Sequence, residues 1–254
     1  MRIIMALQEE FESEGNWLFR YRSYLPLIIL VIGLSVYYIT VRIESNWFIY
    51  VLPHWLYYEY FCLAIGVSGV IIRIYAVGHT PSGTSGRNTK KQVADSLNTT
   101  GIYSVVRHPL YLGNFFMWLG VVLLTCNIGF MLSFIFIYWL YYERIMYAEE
   151  QFLRRKFGIP YLDWAERTPA FIPQLKKFVP PICPFSWKKV IKKEKNGIFA
   201  LLFIFSMFNS IGSWLNSQIH TNWILLWLAG FSGIAYLILK YIKKRTQLLD
   251  ENGR

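Results

Sequence analysis

The chain has 254 residues, of which 55% are apolar and 19% aromatic, and its formal net charge is +11. This composition excludes an ordinary soluble domain and is typical of a polytopic membrane protein. The basic residues lie between apolar runs rather than on a separable domain, so the charge favours anionic lipid headgroups over nucleic acid as the partner. The three cysteines, Cys62, Cys126 and Cys183, lack metal-ligand spacing, and we expect no metal site.

Apolar runs of membrane-spanning length recur along the chain after an interfacial lead-in over residues 1–22. Each is roughly long enough for the ~30 Å hydrocarbon layer. We therefore predict an all-α polytopic membrane protein with about six transmembrane helices. The predicted spans cover residues 25–41, 57–77, 109–125, 128–147, 198–215 and 223–241.

The loops between these spans differ sharply in charge. Nearly all Lys and Arg fall in the N-terminal segment, the 79–108 loop, the 149–196 segment and the tail. Six spans place these segments on one face, which the positive-inside rule makes cytoplasmic, together with both termini. We divide the chain into an N-terminal part (1–78), a core (79–175) and a C-terminal part with the last two spans (176–254).

A basic motif and a carboxylate pair flank the third and fourth predicted spans. The link over residues 126–129 is short, so the two spans should form a hairpin whose ends return to the same membrane surface. Arg107 and His108, just before the hairpin, should then lie near Glu149 and Glu150, just after it. Each residue alone is readily explained as a helix anchor or a solvated helix end, but polar groups gathered at a bilayer face indicate a site.

The second predicted span carries residues with two possible roles each. Arg73, near its end, either snorkels to the surface or lines the site. Gly66 and Gly69 lie inside an apolar run, so we assign them to helix packing rather than dinucleotide binding. The loop that follows, residues 79–106, is rich in Gly, Ser, Thr and Asn, and its basic charge and backbone donors would suit a phosphate.

Five short motifs follow one another between residues 101 and 173, and their order and spacing together are distinctive. They are Gly101-Ile102-Tyr103, Arg107-His108-Pro109-x-Tyr111-x-Gly113, Glu149-Glu150-x-x-Leu153, Phe157-Gly158-x-x-Tyr161 and Pro169-x-Phe171-Ile172-Pro173. Over roughly residues 79 to 175, the sequence resembles the integral-membrane methyltransferases of the isoprenylcysteine carboxyl methyltransferase and phospholipid methyltransferase superfamily.

This resemblance implies a pocket for S-adenosylmethionine as the methyl donor. A carboxylate such as Glu149 suits the ribose hydroxyls or the cationic end of that cofactor. The family's cofactor contacts carry over, the first three by weaker alignment, onto Asn88, Leu97, Asn98, Tyr103, His108, Pro109, Leu110, Tyr111, Glu149 and Glu150.

The residues expected to hold the methyl acceptor differ from those of the carboxyl-methylating members of the superfamily. Carboxyl-methylating members hold their acceptor with an arginine one helical turn before that glutamate, where this chain has Ile145, with Arg144 adjacent. An anionic acceptor needs cations to hold it, whereas an amine acceptor needs a base, for which Glu59 and Glu143 are candidates. The candidate catalytic residues are Arg73, Arg107, Glu143 and Arg144.

These residues and the resemblance lead us to expect a membrane methyltransferase that O-methylates an anionic lipid headgroup, with a phosphate leading. Residues 84–90 and 97–99 also resemble bacterial members that methylate a phosphate of lipid A, which implies lipid A 1-phosphate and the bacterial inner membrane. The alternatives are N-methylation of phosphatidylethanolamine, carboxyl methylation of an isoprenylcysteine-like substrate, an NADPH-dependent sterol-type reductase and a non-catalytic scaffold.

Overall fold

The computed structural model describes residues 6–43, 48, 51–81 and 92–251, most of which are helical. Across these ranges, β-pairing is limited to one isolated bridge between Gly101 and Val179, so the predicted all-α class is confirmed. The helices are α1 (Leu7–Tyr21), α2 (Leu25–Ile43), α3 (Trp55–Gly78), α4 (Pro109–Leu123), α5 (Ile128–Phe157), α6 (Ile159–Arg167), α7 (Trp187–Leu215) and α8 (Trp223–Arg245), with 3-10 turns at Leu52–His54, Ile102–Ser104 and Leu175–Lys177.

The apolar helices make this a polytopic integral membrane protein. Five of them, including α2, α5 and α8, are long and apolar enough to cross a membrane. Helix α4 is apolar but has 15 residues, fewer than the about 20 that a full crossing needs. Its ends are satisfied locally: Pro109 occupies the first turn, where a missing N–H costs nothing, and the Tyr58 hydroxyl donates to the Leu123 carbonyl at 2.7 Å.

Glycines let α3 and α4 pack backbone against backbone. A Cβ on Gly69 would lie 2.3 Å from the Gly113 carbonyl oxygen, and a Cβ on Gly120 would lie 2.6 Å from the Cys62 carbonyl oxygen. Such contacts need small residues, as in other membrane helix pairs, which agrees with the packing role predicted for Gly69. The close approach also brings Arg73 of α3 directly against α4.

The predicted hairpin is present as α4 and α5. The chain reverses through Cys126, whose φ of +48° is unusual for a residue other than glycine. The Asn127 side chain then caps α5 by accepting a hydrogen bond from the Phe130 N–H at 2.8 Å, which satisfies one of the free donors at the helix start.

Two helices extend beyond the predicted spans. Helix α5 continues to Phe157 instead of ending near residue 147, and α7 begins at Trp187 instead of near residue 198. Hydropathy marks where a helix leaves the apolar layer, not where its backbone stops, and Lys, Arg and Glu are good helix formers. Ser186 fixes the earlier start of α7 because its hydroxyl accepts a hydrogen bond from the Lys189 N–H at 3.2 Å.

The interfacial segment before the first span contains a helix, α1. This helix packs against the end of α5 that we predict to be cytoplasmic. A Cβ on Gly15 would lie only 2.1 Å from the Arg144 carbonyl oxygen, so the two helices touch through their backbones. The Arg155 guanidinium donates to both carboxylate oxygens of Glu12, at 2.9 and 2.5 Å. The Tyr141 hydroxyl of α5 also donates to the Leu18 carbonyl at 3.1 Å, so the docking places the turn between α1 and α2, residues 22–24, near α5.

Candidate active site

The entry to α4 is held by the segment that closes the core. The Arg107 N–H donates to the Pro169 carbonyl at 2.9 Å, and the His108 N–H donates to the Ala170 carbonyl at 3.2 Å. These two backbone bonds fix the direction in which the chain enters α4. They join the motif that begins at Arg107 to the closing motif over residues 169–173.

Two adjacent carboxylates of α5 meet the side chains of this entry. His108 Nε2 lies 2.9 Å from Glu150 Oε1, and His108 Nδ1 lies 3.7 Å from Glu149 Oε2. Arg107 Nε lies 3.3 Å from Glu150 Oε1, and the Tyr111 hydroxyl donates to Glu149 Oε1 at 2.8 Å. The structure therefore brings together all four residues that the hairpin was predicted to gather.

Aromatic rings form a firm support beneath the carboxylates. The Tyr138 hydroxyl donates to the Tyr111 carbonyl at 2.7 Å, and the Tyr138 and Tyr142 rings stack with centroids 4.3 Å apart. The Tyr111 ring lies 4.7 Å from the Tyr142 ring. These contacts restrict the rotamer of Tyr111 and so the orientation of the Glu149 carboxylate that it holds.

Two tyrosines outside the membrane spans, Tyr103 and Tyr161, lie on the side of the cluster that we predict to face the cytoplasm. The Trp164 indole N–H donates to the Tyr103 carbonyl at 3.0 Å, which ties α6 to the 3-10 turn before α4. Burial raises the pKa of Tyr103 and of Tyr161 well above the usual range for a phenol. Both therefore stay neutral at physiological pH.

A cavity of about 720 Å³ joins this cluster to the interior of the helix bundle. It extends from the 92–98 segment, past the carboxylates, to α7. Eleven of the residues predicted from sequence line it: Arg73, Leu97, Asn98, Tyr103, Arg107, His108, Pro109, Leu110, Tyr111, Glu149 and Glu150.

Three of the remaining sequence candidates have other positions. Asn88 lies outside the described residues. Glu143 is exposed, and Arg144 turns towards α1, where its guanidinium carbon lies 3.4 Å from the Phe11 ring centroid. Neither Glu143 nor Arg144 lines the cavity, because their positions on α5 face away from the Glu149 side of that helix.

Glu59, the other candidate base, is fully buried far from the cluster. It lies near the start of α3 and accepts a hydrogen bond from Asn222 Nδ2 at 2.7 Å. Arg73 lies fourteen positions further along the same helix, a rise of about 21 Å. Glu59 therefore serves the packing of α3 against the start of α8 rather than the cavity.

Sequence reasoning missed several residues that line the cavity. Phe19 lies in the last turn of α1 and Arg22 directly follows that helix, and no pattern in the sequence connects this segment with residues 107–150. Glu194 could have been noticed in the sequence, because it is the single acidic residue within the basic run 188–195. It forms a two-point ion pair with Arg73, with Nε to Oε2 and Nη2 to Oε1 both at 2.8 Å.

Much of the cavity lining lies in a part of the chain that is similar to known proteins. The model of the family described as Phospholipid methyltransferase matches residues 56–159, which include Arg73, the α4–α5 hairpin and both carboxylates. Protein-S-isoprenylcysteine O-methyltransferase B of Arabidopsis thaliana is 32% identical over 128 residues, 47% of this chain and 61% of that protein.

The core is similar to the isoprenylcysteine and phospholipid methyltransferases.

Two further relatives show similarly partial coverage. Protein-S-isoprenylcysteine O-methyltransferase of Saccharomyces cerevisiae is 33% identical over 102 residues, 40% of this chain and 42% of that protein. Nickel-cobalt-cadmium resistance protein NccN of Alcaligenes xylosoxydans xylosoxydans is 34% identical over 116 residues, 46% of this chain and 52% of that protein. The chain thus spans about half the length of these relatives. No solved structure matches it.

Proposed function

We propose that this protein is an S-adenosylmethionine-dependent methyltransferase that O-methylates the anionic headgroup of a membrane lipid, with a phosphate such as the lipid A 1-phosphate as the leading acceptor. The observation that carries the proposal is the His108–Glu150 and Tyr111–Glu149 pairing at the wall of a cavity of about 720 Å³, in a chain similar to the isoprenylcysteine and phospholipid methyltransferases. We place the protein in a bacterial inner membrane, with the site and both termini facing the cytoplasm.

The residues of the cavity fit S-adenosylmethionine chemically. Glu149 offers a carboxylate to ribose hydroxyls or to the cationic amino-acid end, and charge-assisted hydrogen bonds of this kind are the strong ones. Leu97, Asn98, Tyr103 and Tyr111 line the same space and offer it polar and aromatic groups. Bound there, the cofactor supplies a methyl group on a sulfonium, which is strongly electrophilic.

The chain itself contributes positioning, desolvation and electrostatics to methyl transfer. A lone pair of an acceptor oxygen forms the new bond to the methyl carbon while the carbon–sulfur bond breaks. The electron pair of the broken bond passes to sulfur, which leaves as a neutral thioether. Because a phosphate or carboxylate oxygen already has a free lone pair, no proton must be removed. Holding the two reactants in line and away from bulk water is then the main requirement.

The charges that line the cavity favour an anionic acceptor. Its walls carry four cationic side chains, from Arg22, Arg73, Arg107 and Lys193, and three carboxylates, from Glu149, Glu150 and Glu194. A sulfonium would add further positive charge, so a negatively charged acceptor completes the balance. The bases considered for an amine acceptor, Glu59 and Glu143, do not line the cavity, which disfavours N-methylation.

Carboxyl methylation is the second candidate, and the names of two relatives favour it. Both are isoprenylcysteine O-methyltransferases, and a carboxylate is also an anionic acceptor. The cavity differs from the pattern of such members, because the position one turn before Glu149 is Ile145, which is fully buried. A cation for the acceptor must therefore come from elsewhere in this chain.

The proposal is tested with purified protein and S-adenosylmethionine labelled on its methyl group, offered total lipid from a Gram-negative bacterium. Label recovered in a phosphate-bearing glycolipid supports the leading form. Label in a base-labile carboxyl ester of a lipid supports the second candidate. Label in methylated phosphatidylethanolamine, or binding of NADPH without any methyl transfer, contradicts the proposal.

A further inference from the structure

Helix α7 forms a wall of the cavity although it lies beyond residue 159, where the family match ends. Its lining residues are spaced three and four apart, the interval that places side chains on one face of a helix. They extend over about 16 Å of helix at 1.5 Å per residue. These residues are Lys193, Glu194, Asn196, Gly197, Ala200, Leu201 and Ile204.

The start of this face is polar and structurally fixed. Glu194, whose side chain is only 3% exposed, holds Arg73 through both carboxylate oxygens. Arg73 Nη1 also donates to Asn114 Oδ1 at 2.6 Å. A guanidinium has five N–H donors, and these bonds engage three of them while locking its plane against the cavity wall.

The continuation of the face is apolar and lines the cavity. Ala200 is exposed to the cavity, and Leu201 and Ile204 follow it towards the middle of the bundle, opposite Met117 of α4. A Cβ on Gly197 would approach the Met117 Cε to only 3.5 Å, an ordinary contact. Gly197 thus lets α7 pack closely against α4, and Ala200 lines the cavity, so a larger side chain at position 200 would extend into it.

We propose that α7 provides the acceptor half of the site and binds the lipid substrate along this face. The headgroup lies at Arg73 and Asn114, with Glu194 as the residue that positions Arg73, and a hydrocarbon chain follows the Gly197–Ile204 stretch. An amphiphile is the ligand class that matches a polar end joined to an apolar channel between membrane helices. This inference rests on the proposed methyl transfer and assigns part of acceptor selection to α7, which lies outside the family match.

The test uses Ala200→Trp, which places an indole in the apolar channel. Its matched control is Ala235→Trp, on an exposed alanine of α8 that does not line the cavity. Binding of S-adenosylmethionine is measured by calorimetry, and transfer of labelled methyl to total bacterial lipid is measured in parallel. We expect Ala200→Trp to bind the cofactor within twofold of the unsubstituted protein and to lose at least tenfold in transfer, while Ala235→Trp changes neither.

Glu194→Gln and Glu194→Asp separate positioning from bulk structure. We expect the glutamine variant to raise the lipid concentration needed for half-maximal rate at least fivefold at unchanged cofactor affinity, and aspartate to restore part of that loss. Equal transfer by Ala200→Trp and Ala235→Trp would overturn the inference, as would a parallel loss of cofactor binding in Ala200→Trp. Absence of both cofactor binding and transfer in the unsubstituted protein would instead remove the proposed function, and with it this inference.

Discussion

His108 Nε2 lies 2.9 Å from Glu150 Oε1, joining the start of α4 to the far end of α5 across 42 positions of sequence. The same imidazole reaches towards Glu149, and Arg107 Nε lies 3.3 Å from the same oxygen of Glu150. A single histidine thus organises two carboxylates at the wall of the cavity. Its position depends on both the short hairpin turn and the backbone bonds to residues 169 and 170.

This arrangement predicts that His108 and Glu150 act as one unit in cofactor binding. His108→Ala and Glu150→Ala should each weaken S-adenosylmethionine binding, and the double variant should lose clearly less than the sum of the two losses. Contacting residues show coupling of about 0.5–3 kcal/mol in such cycles. Calorimetry on the four proteins measures it, and strictly additive losses would show that the two side chains act separately.

Substitutions of Arg107 and Arg144 should have different effects, although both residues are candidate catalytic residues from the sequence. Arg107→Gln should lower the rate of methyl transfer because Arg107 lines the cavity beside Glu150. Arg144→Gln should mainly lower the unfolding temperature, because it removes the contacts with Phe11 and Glu14 that dock α1. Transfer assays and thermal unfolding in detergent separate these effects. A larger rate loss for Arg144→Gln would restore that residue as the acceptor ligand.

The backbone contact between α3 and α4 predicts a strong effect of one methyl group. Gly120→Ala would place a Cβ 2.6 Å from the Cys62 carbonyl oxygen and 2.9 Å from the Gly66 nitrogen. Since neither is the end of a flexible side chain, we expect a loss of about 1–3 kcal/mol from overpacking. Gly230→Ala is the matched control, because no atom lies within 4 Å of that added Cβ. Similar unfolding temperatures for both variants would contradict this packing.

The Glu12–Arg155 pair predicts a small acid sensitivity in the docking of α1. Hydrogen bonds from the Arg155 guanidinium hold the pKa of the Glu12 carboxyl below its usual value. The stabilisation is therefore complete above the unfolded-state pKa of about 4.3 and is lost as the pH falls through the lower folded-state pKa. For an exposed pair it amounts to about 0.2–1 kcal/mol.

Thermal unfolding between pH 7 and pH 3, compared with the Glu12→Gln variant, measures this contribution. The unsubstituted protein should lose more stability on acidification than the variant does. Raising the salt concentration should reduce the difference at neutral pH, because exposed charges are screened. Identical pH profiles for the two proteins would show that the ion pair adds nothing to the docking.

Much of the fold was predictable because hydropathy and short links act locally. The turn at residues 126–129 was sufficient to place His108 beside Glu150, and the glycines of α3 were correctly assigned to packing. Helix ends were less accurate, since the charged start of α7 is helical despite its low hydropathy. Sequence patterns report the periodicity of one segment, and they report contacts between distant segments only when a short turn connects them.

The missed site residues illustrate this limit. Arg22 reaches the cavity only because α1 docks on α5 through Gly15, a contact between segments far apart in sequence. Arg144 was misplaced because adjacent helical positions point about 100° apart, so a residue next to the expected position faces a different neighbour. Whether Arg144 faces the cavity or α1 depends on the rotation of α5 about its axis, and the spacing of the motifs does not determine that rotation.

The central claim, that Glu149 anchors S-adenosylmethionine in this cavity, is tested most directly by calorimetric binding of that cofactor to three proteins. These are the unsubstituted chain, Glu149→Gln, and Glu166→Gln, whose carboxylate is exposed on α6 away from the cavity. We predict that the first and third bind alike and that Glu149→Gln binds about tenfold more weakly or worse, since a hydrogen bond to a charged group is worth about 1.5–3 kcal/mol. Equal binding by all three, or binding of NADPH in place of S-adenosylmethionine, would contradict the claim.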